Sequence, residues 1–132
     1  MNQKVSNNSS PRIKIIQKIY GSLMNPDAQI VYPKSQYKKY IKDVVSGTIE
    51  RTDLIEETIT KHLEKDIDLT RTDKLLKIIL FSAVFELMFK HTTPRNVVIS
   101  EYVRASEFFL ERTQISYLNA VLDKLSKLIR KE

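Results

Sequence analysis

The sequence predicts an all-α fold, and three observations lead to that prediction. Only two of the 132 residues are glycine, and neither follows an asparagine or aspartate, so the commonest two-residue hairpin turns are missing. Apolar residues recur every three or four positions along most of the chain, which is helical spacing. Hydrophobic residues make up 42% and charged residues 29%, as in globular proteins with a real core. We expect a flexible polar arm over residues 1–10 and a single compact helical domain over residues 11–132.

The first predicted helix follows Ser10-Pro11, which combines an N-cap residue with proline at the first helical position. It ends near Met24, because Asn25-Pro26 cannot continue a helix. Its apolar face carries Ile13, Ile16, Ile19, Tyr20 and Leu23, and the basic residues off that face are Arg12, Lys14 and Lys18.

A second stretch of helical spacing runs from about Ser35 to Lys65. Gly47 lies inside it and costs about 1 kcal/mol relative to alanine. It marks either a close helix crossing or a break into two helices.

The next helix is capped by Thr72 or Asp73, and its apolar residues lie on nearly all sides, as at the centre of a bundle. Its apolar run, Leu75 to Phe89, is shorter than the roughly 20 residues of a membrane span. Thr93-Pro94 then starts a helix, and Gln114 starts the last one. Their inward residues are Val98, Tyr102, Ala105 and Phe109, then Leu118, Val121, Leu122, Leu125 and Leu128. The pattern gives five or six helices with short connections.

The net charge of +6 lies entirely in the first third of the chain. Residues 1–48 hold eight basic and two acidic residues, whereas residues 49–132 hold fourteen of each sign. Such asymmetry points to an acidic partner, most commonly RNA or DNA, although solubility and chance explain it about as well.

The sequence carries none of the patterns of common catalytic or metal sites. It has no Gly-rich phosphate loop, and neither His62 nor His91 has a histidine or cysteine ligand at helical spacing. There is no cysteine and no apolar leader, which suits a reducing cytoplasm. We therefore expect a cytoplasmic binding protein without enzymatic activity, cofactor, metal or membrane attachment.

Three polar or aromatic residues stand out, each with a structural alternative. Glu86 lies in an otherwise apolar stretch, where a buried carboxylate is costly without partners. Three alternatives are open for Glu86: it occupies a narrow solvent-exposed strip of its helix, it forms a hydrogen bond to a loop within the protein, or it faces a protein partner. Tyr117 and Asn119 could stack on and hydrogen-bond an unpaired base. Packing and local hydrogen bonds explain these two residues as well, and from the residues alone the structural readings are favoured for all three.

Four segments of the chain form a pattern in register. They are Ile15 to Tyr20, Ile79-Leu80 with Phe85-Glu86-Leu87, Pro94 with Val98 to Glu101, and Tyr117 to Lys124. Together they resemble the NusB family of bacterial transcription antitermination factors, whose pattern reads approximately AxQxLY, IL…YEL, P…INEA and FVNGVLDK.

The resemblance implies two packed helical subdomains of about six to seven helices in total. It also implies binding of boxA RNA in nascent ribosomal RNA, jointly with NusE, a small-subunit ribosomal protein, within the RNA polymerase antitermination complex. The free chain would be a monomer or a weak homodimer. By position, the RNA-binding residues would be Lys4, Arg12, Lys14, Tyr117 and Asn119, and the protein-partner residues would be Tyr20 and Glu86.

The chain departs from the family pattern where RNA binding is expected. Asn8, Ser9 and Ser10 stand in place of an arginine cluster, while Ser100 and Ala120 replace the Asn of INEA and the Gly of VNGV. Each lost phosphate contact weakens RNA binding, so we expect weak binding of RNA alone. The alternative is a helical RNA-binding or oligomerisation module without antitermination activity, as in the NusB-like domains of ribosomal RNA methyltransferases.

Overall fold

The computed structural model describes residues 10–63, 65 and 67–131, so most of the polar arm, including Lys4, lies outside the described residues. This part of the chain forms six α-helices and no strand, which confirms the all-α prediction. The helices are α1 (Pro11–Met24), α2 (Lys38–Glu50), α3 (Thr52–Leu63), α4 (Lys74–Phe89), α5 (Arg95–Ser106) and α6 (Arg112–Ile129).

Helix α4 forms the centre of the bundle and packs against each of the other five helices. Its residues are buried continuously from Ile78 to Leu87, as its all-round apolar pattern predicts. The amphipathic α6 covers one side with Leu118, Val121, Leu122 and Leu125, which are all buried. Most of the folding free energy must therefore come from apolar surface buried around α4.

The predicted stretch from Ser35 to Lys65 breaks into two helices at Arg51, not at Gly47. Gly47 instead marks a close helix crossing, because a Cβ added there would overlap the ring of Phe85 on α4. After the break, the Thr52 hydroxyl donates to the Thr48 and Ile49 carbonyls at 3.0 and 2.9 Å. The close crossing is thus the alternative that holds for Gly47, and the break lies four residues later, at Arg51.

Side chains cap two helices in ways that the sequence partly predicts. The Asp73 carboxylate accepts hydrogen bonds from the Leu75 and Leu76 amides, as expected of an N-cap. Helix α6 begins at Arg112, two residues before the predicted start. Glu111 is its N-cap in a capping box. The Glu111 side chain accepts from the Gln114 backbone amide, and Oε1 of Gln114 accepts from the Glu111 backbone amide.

Candidate nucleic-acid and partner interface

The most concentrated polar feature of the interior is an ion pair between Arg12 of α1 and Glu86 of α4. The guanidinium donates from Nη2 to Oε1 at 2.6 Å and from Nε to Oε2 at 3.2 Å. Glu86 is completely buried, and the Arg12 side chain is 11% exposed. Two parallel bonds of this kind fix the geometry as well as the charge of the pair.

Two tyrosines complete the coordination of the Glu86 carboxylate. The Tyr40 hydroxyl of α2 donates to Oε1 and the Tyr102 hydroxyl of α5 donates to Oε2. Arg12 Nη2 also donates to the Tyr40 hydroxyl at 3.0 Å, and its guanidinium carbon lies 5.1 Å from the centre of that ring. The cluster of Arg12, Tyr40, Glu86 and Tyr102, which we call the glutamate cluster, joins α1, α2, α4 and α5.

Burial and charge shift the acidity of the groups around Glu86. Burial, reinforced by the negative charge and hydrogen bond of Glu86, raises the pKa of both Tyr40 and Tyr102 above the usual tyrosine value. Burial alone would lower the pKa of the Arg12 guanidinium, but the bonds and charge of Glu86 outweigh it and raise that pKa. The phenols are thus held neutral and the arginine charged.

The glutamate cluster changes the interpretation of two predicted site residues. Arg12 was expected off the apolar face of α1, and this was wrong: it lies on the buried face because Glu86 provides a partner there. Glu86 is neither solvent-exposed nor hydrogen-bonded through its carboxylate to a loop. Its carboxylate binds side chains of three other helices. The structure therefore brings together two residues assigned to different ligands, and neither presents its charge to solvent.

The predicted RNA-binding residues at the surface do not line one common cavity. Lys14 lies half-buried beside a small cavity between α1 and the turn that precedes α2. Asn119 lines a cleft of about 870 Å³ between α5 and α6, together with Ser100, Arg104 and Phe108. Tyr117, two residues before Asn119, is 38% exposed.

Tyr20 lies on the surface, as a partner-binding residue should. Its exposed fraction is 39%, and Leu23, its neighbour one turn along α1, is 52% exposed. Leu23 also lines an apolar groove of about 380 Å³ with residues of α2, α4 and the α3–α4 connection. The Thr48 hydroxyl, on the wall of this groove, is buried and has no hydrogen-bond partner among the described residues.

Arg130 is a buried residue whose role the sequence analysis missed. Its guanidinium donates four hydrogen bonds, to the carbonyls of Glu86, Leu87, Lys90 and Thr93, at 2.6 to 3.1 Å. Three of these carbonyls belong to the C-terminal end of α4, where a cation compensates unpaired acceptors and the helix dipole. The only sequence signal is a basic residue at the end of a helix, which is equally typical of a solvated position.

Among the described residues, no group of three or more acidic or histidine side chains is arranged to hold a metal ion. In the same part of the chain, every helix is too short or too polar to cross a membrane.

Comparison with known proteins gives the surfaces a context. The sequence profile described as the NusB family matches residues 4–127. The chain belongs to the NusB family. A transcription antitermination protein NusB of Sphingopyxis alaskensis is 27% identical over the full length of both chains. The protein of the same name from Rickettsia conorii is 30% identical over 95% of this chain and 83% of its own.

The fold agrees with this assignment to the NusB family. The solved structure of T. maritima NusB superposes with a TM-score of 0.77, covering 89% of this chain and 88% of that one, at 21% sequence identity. All four motifs that resemble the family pattern contribute residues to the features above. The first carries Tyr20 and the second Glu86, while the third and fourth place Ser100 and Asn119 on opposite walls of the α5–α6 cleft.

Proposed function

We propose that this chain is a transcription antitermination factor. It binds boxA RNA of nascent ribosomal RNA together with a NusE-type small-subunit ribosomal protein, and the complex helps RNA polymerase avoid premature termination. The observation that carries the proposal is the family match over residues 4–127, with relatives named transcription antitermination proteins. Because nascent ribosomal RNA is made in the bacterial cytoplasm, we expect the chain to work there.

The α5–α6 cleft supports a role in holding unpaired bases. It presents an amide in Asn119, a guanidinium in Arg104 and an exposed aromatic ring in Phe108. Amides bond base edges, while rings and guanidinium planes stack on bases, which is how proteins recognise single-stranded RNA. Tyr117 adds a second exposed ring on the same helix as Asn119.

The exposed end of α1 supports a separate protein-binding surface. Tyr20, Leu23 and Met24 are 39, 52 and 47% exposed, an unusual concentration of large apolar side chains at one helix end. Aromatic residues with a polar tip are enriched at the centres of protein interfaces. We assign this surface to the NusE-type partner, with Tyr20 as its anchor.

The glutamate cluster supports weak binding of RNA by the chain alone. The Arg12 guanidinium is occupied by Glu86 and Tyr40, so it cannot also bind a phosphate without leaving a buried carboxylate unpaired. We therefore propose that Glu86 acts indirectly, by positioning α1 with its exposed Tyr20, and does not itself contact the partner.

A crossover experiment with two tyrosines of nearly equal exposure tests the proposal. Tyr20→Asp should weaken capture of a NusE-type protein about 10-fold or more while leaving boxA RNA affinity unchanged. Tyr117→Ala should do the reverse, because stacking on one base contributes about 1–3 kcal/mol, or roughly 5- to 150-fold in affinity. Pull-down measures the first effect, and fluorescence anisotropy with labelled boxA RNA measures the second.

Failure of the wild-type chain to bind either ligand would contradict the proposal. Size-exclusion chromatography supplies a further check, since we expect the free chain to be a monomer or a weak homodimer. A stable homodimer that ignores both the RNA and the NusE-type protein would instead favour a structural oligomerisation module.

A further inference from the structure

A small cavity between α1 and the turn that leads into α2 is surrounded by lysines. Its volume is about 100 Å³, and Tyr32, Pro33, Ser35 and Ile41 complete its walls. The four basic residues that line it are Lys14, Lys18, Lys34 and Lys38. We call this feature the four-lysine pocket.

The positive charge of the four-lysine pocket is uncompensated. No aspartate or glutamate lines it, and none of its lysines forms an ion pair within the described residues. Lys14 and Lys18 stand four residues apart on α1, a spacing at which like charges repel and destabilise a helix. By contrast, Lys39 and Lys90 nearby share the Asp43 carboxylate at 3.2 and 3.5 Å.

The size of the pocket limits what can enter it. A cavity of about 100 Å³ has room for a small anionic group such as one phosphate. The two α1 lysines that line the pocket are half-buried, and half-buried lysines typically pack their aliphatic stems on the protein and keep the ammonium group in water. Lysine ammonium groups bind phosphate as flexible point charges.

We propose that the four-lysine pocket binds a backbone phosphate of the RNA and supplies electrostatic affinity that the Arg12 side chain cannot. The inference rests on the proposed function in requiring an RNA ligand, but it adds a location between α1 and the turn before α2, whose lining shares no residue with the α5–α6 cleft. Single-stranded RNA is the favoured occupant because the chain already presents an aromatic and amide-lined cleft suited to unpaired bases.

The test compares two variants with the same change in net charge. The first replaces all four pocket lysines by glutamine. The matched control replaces four exposed basic residues away from it by glutamine: Lys61, Lys65, Arg71 and Lys131. Binding of labelled boxA RNA, with a NusE-type protein present, is measured between 50 and 200 mM salt.

The salt dependence of binding gives the expected size of the effect. Each phosphate contact to single-stranded RNA contributes about 0.7 to the slope of log affinity against log salt. The one phosphate held by the pocket would make the wild type lose about 2.6-fold more affinity than the pocket variant over this salt range. The control should follow the wild type. A double variant of the exposed Lys34 and Lys38 should shift the slope in the same direction by a smaller amount, and it guards against misfolding of the quadruple variant.

Several results would overturn the inference, and they can be told apart. If the wild type binds RNA and the pocket variant keeps its full salt slope, or the control loses as much, the location is wrong while the proposed function stands. If the wild type binds no RNA with or without the partner, both fail. If the lysines matter only for binding anionic phospholipid vesicles or polyglutamate, the pocket serves another class of partner.

Discussion

Removing the Arg12 side chain should severely destabilise the fold, because it would leave the Glu86 carboxylate unpaired. Glu86 is completely buried, and only two neutral phenols would remain to bond it. Breaking a buried ion pair by deleting one partner costs about 3–5 kcal/mol. We expect this loss for Arg12→Met, which keeps most of the apolar volume of the arginine stem.

The size of this loss predicts a measurable thermal shift. A chain of 132 residues has an unfolding entropy of about 0.28 kcal/mol/K, at about 2.1 cal/mol/K per residue. A loss of 3–5 kcal/mol therefore lowers the Tm by about 11–18 °C. Urea unfolding followed by far-UV circular dichroism at pH 7 would give the free energy independently.

A double-mutant cycle separates the ion pair from the packing of its members. Glu86→Gln combined with Arg12→Met removes both charges, and such neutral replacements of buried pairs often cost little. We expect the double variant to recover at least 2 kcal/mol relative to the sum of the two single losses. The matched control is the exposed Lys39–Asp43 pair, whose coupling should be about 0.5 kcal/mol or less. An Arg12→Met loss below about 1 kcal/mol, without coupling to Glu86, would refute this reasoning.

Three further predictions concern packing, helix capping and titration. Gly47→Ala should lower the free energy of unfolding by about 1–3 kcal/mol, because the new Cβ meets the Phe85 ring. Gly21→Ala places its Cβ in open space and should raise the free energy of unfolding by about 0.5–1 kcal/mol. Chemical denaturation measures both changes. Arg130→Met should cost about 2–4 kcal/mol, since it removes the hydrogen bonds to the Leu87 and Thr93 carbonyls, and a thermal melt would detect this loss. Burial and the neighbouring Glu86 carboxylate raise the pKa of Tyr102 in the folded state above its value of about 10 in the unfolded chain. The neutral Tyr102 therefore contributes its full stabilisation below about pH 10, and this contribution is lost as the pH rises further. The difference in 295 nm absorbance between the wild type and Tyr102→Phe should therefore show Tyr102 ionising only together with unfolding, and ionisation of Tyr102 in the folded chain would contradict the burial argument.

The sequence predicted the elements whose causes are local. The all-round apolar pattern of α4 and the Asp73 cap both act within a few residues, and both are confirmed. The close approach of Gly47 to Phe85 was one of two alternatives, because periodicity alone does not say what crosses a glycine. The break at Arg51 depends on tertiary packing and was not located.

The glutamate cluster could not be predicted, because its members are distant in sequence. Arg12 and Glu86 are 74 residues apart, and a basic residue beside an apolar helix face is ordinarily solvated. Tyr102 was correctly expected to point inward, but its carboxylate partner was not identified. Arg130 was missed for the same reason, since the carbonyls it binds lie about 40 residues earlier.

The site predictions from family resemblance remain separate from what the fold establishes. Tyr20, Lys14, Tyr117 and Asn119 lie where a ligand can reach them, whereas Arg12 is occupied by Glu86. The binding roles of all five stay predictions until ligands are measured.

The most direct test of the central claim is a titration of labelled boxA RNA with this protein, alone and with a NusE-type partner at saturating concentration. The account predicts weak binding by the chain alone at physiological salt and clearly tighter binding by the heterodimer. Tight binding by the isolated chain, or binding that the partner does not improve, would contradict the proposal that the chain binds boxA RNA jointly with a NusE-type partner.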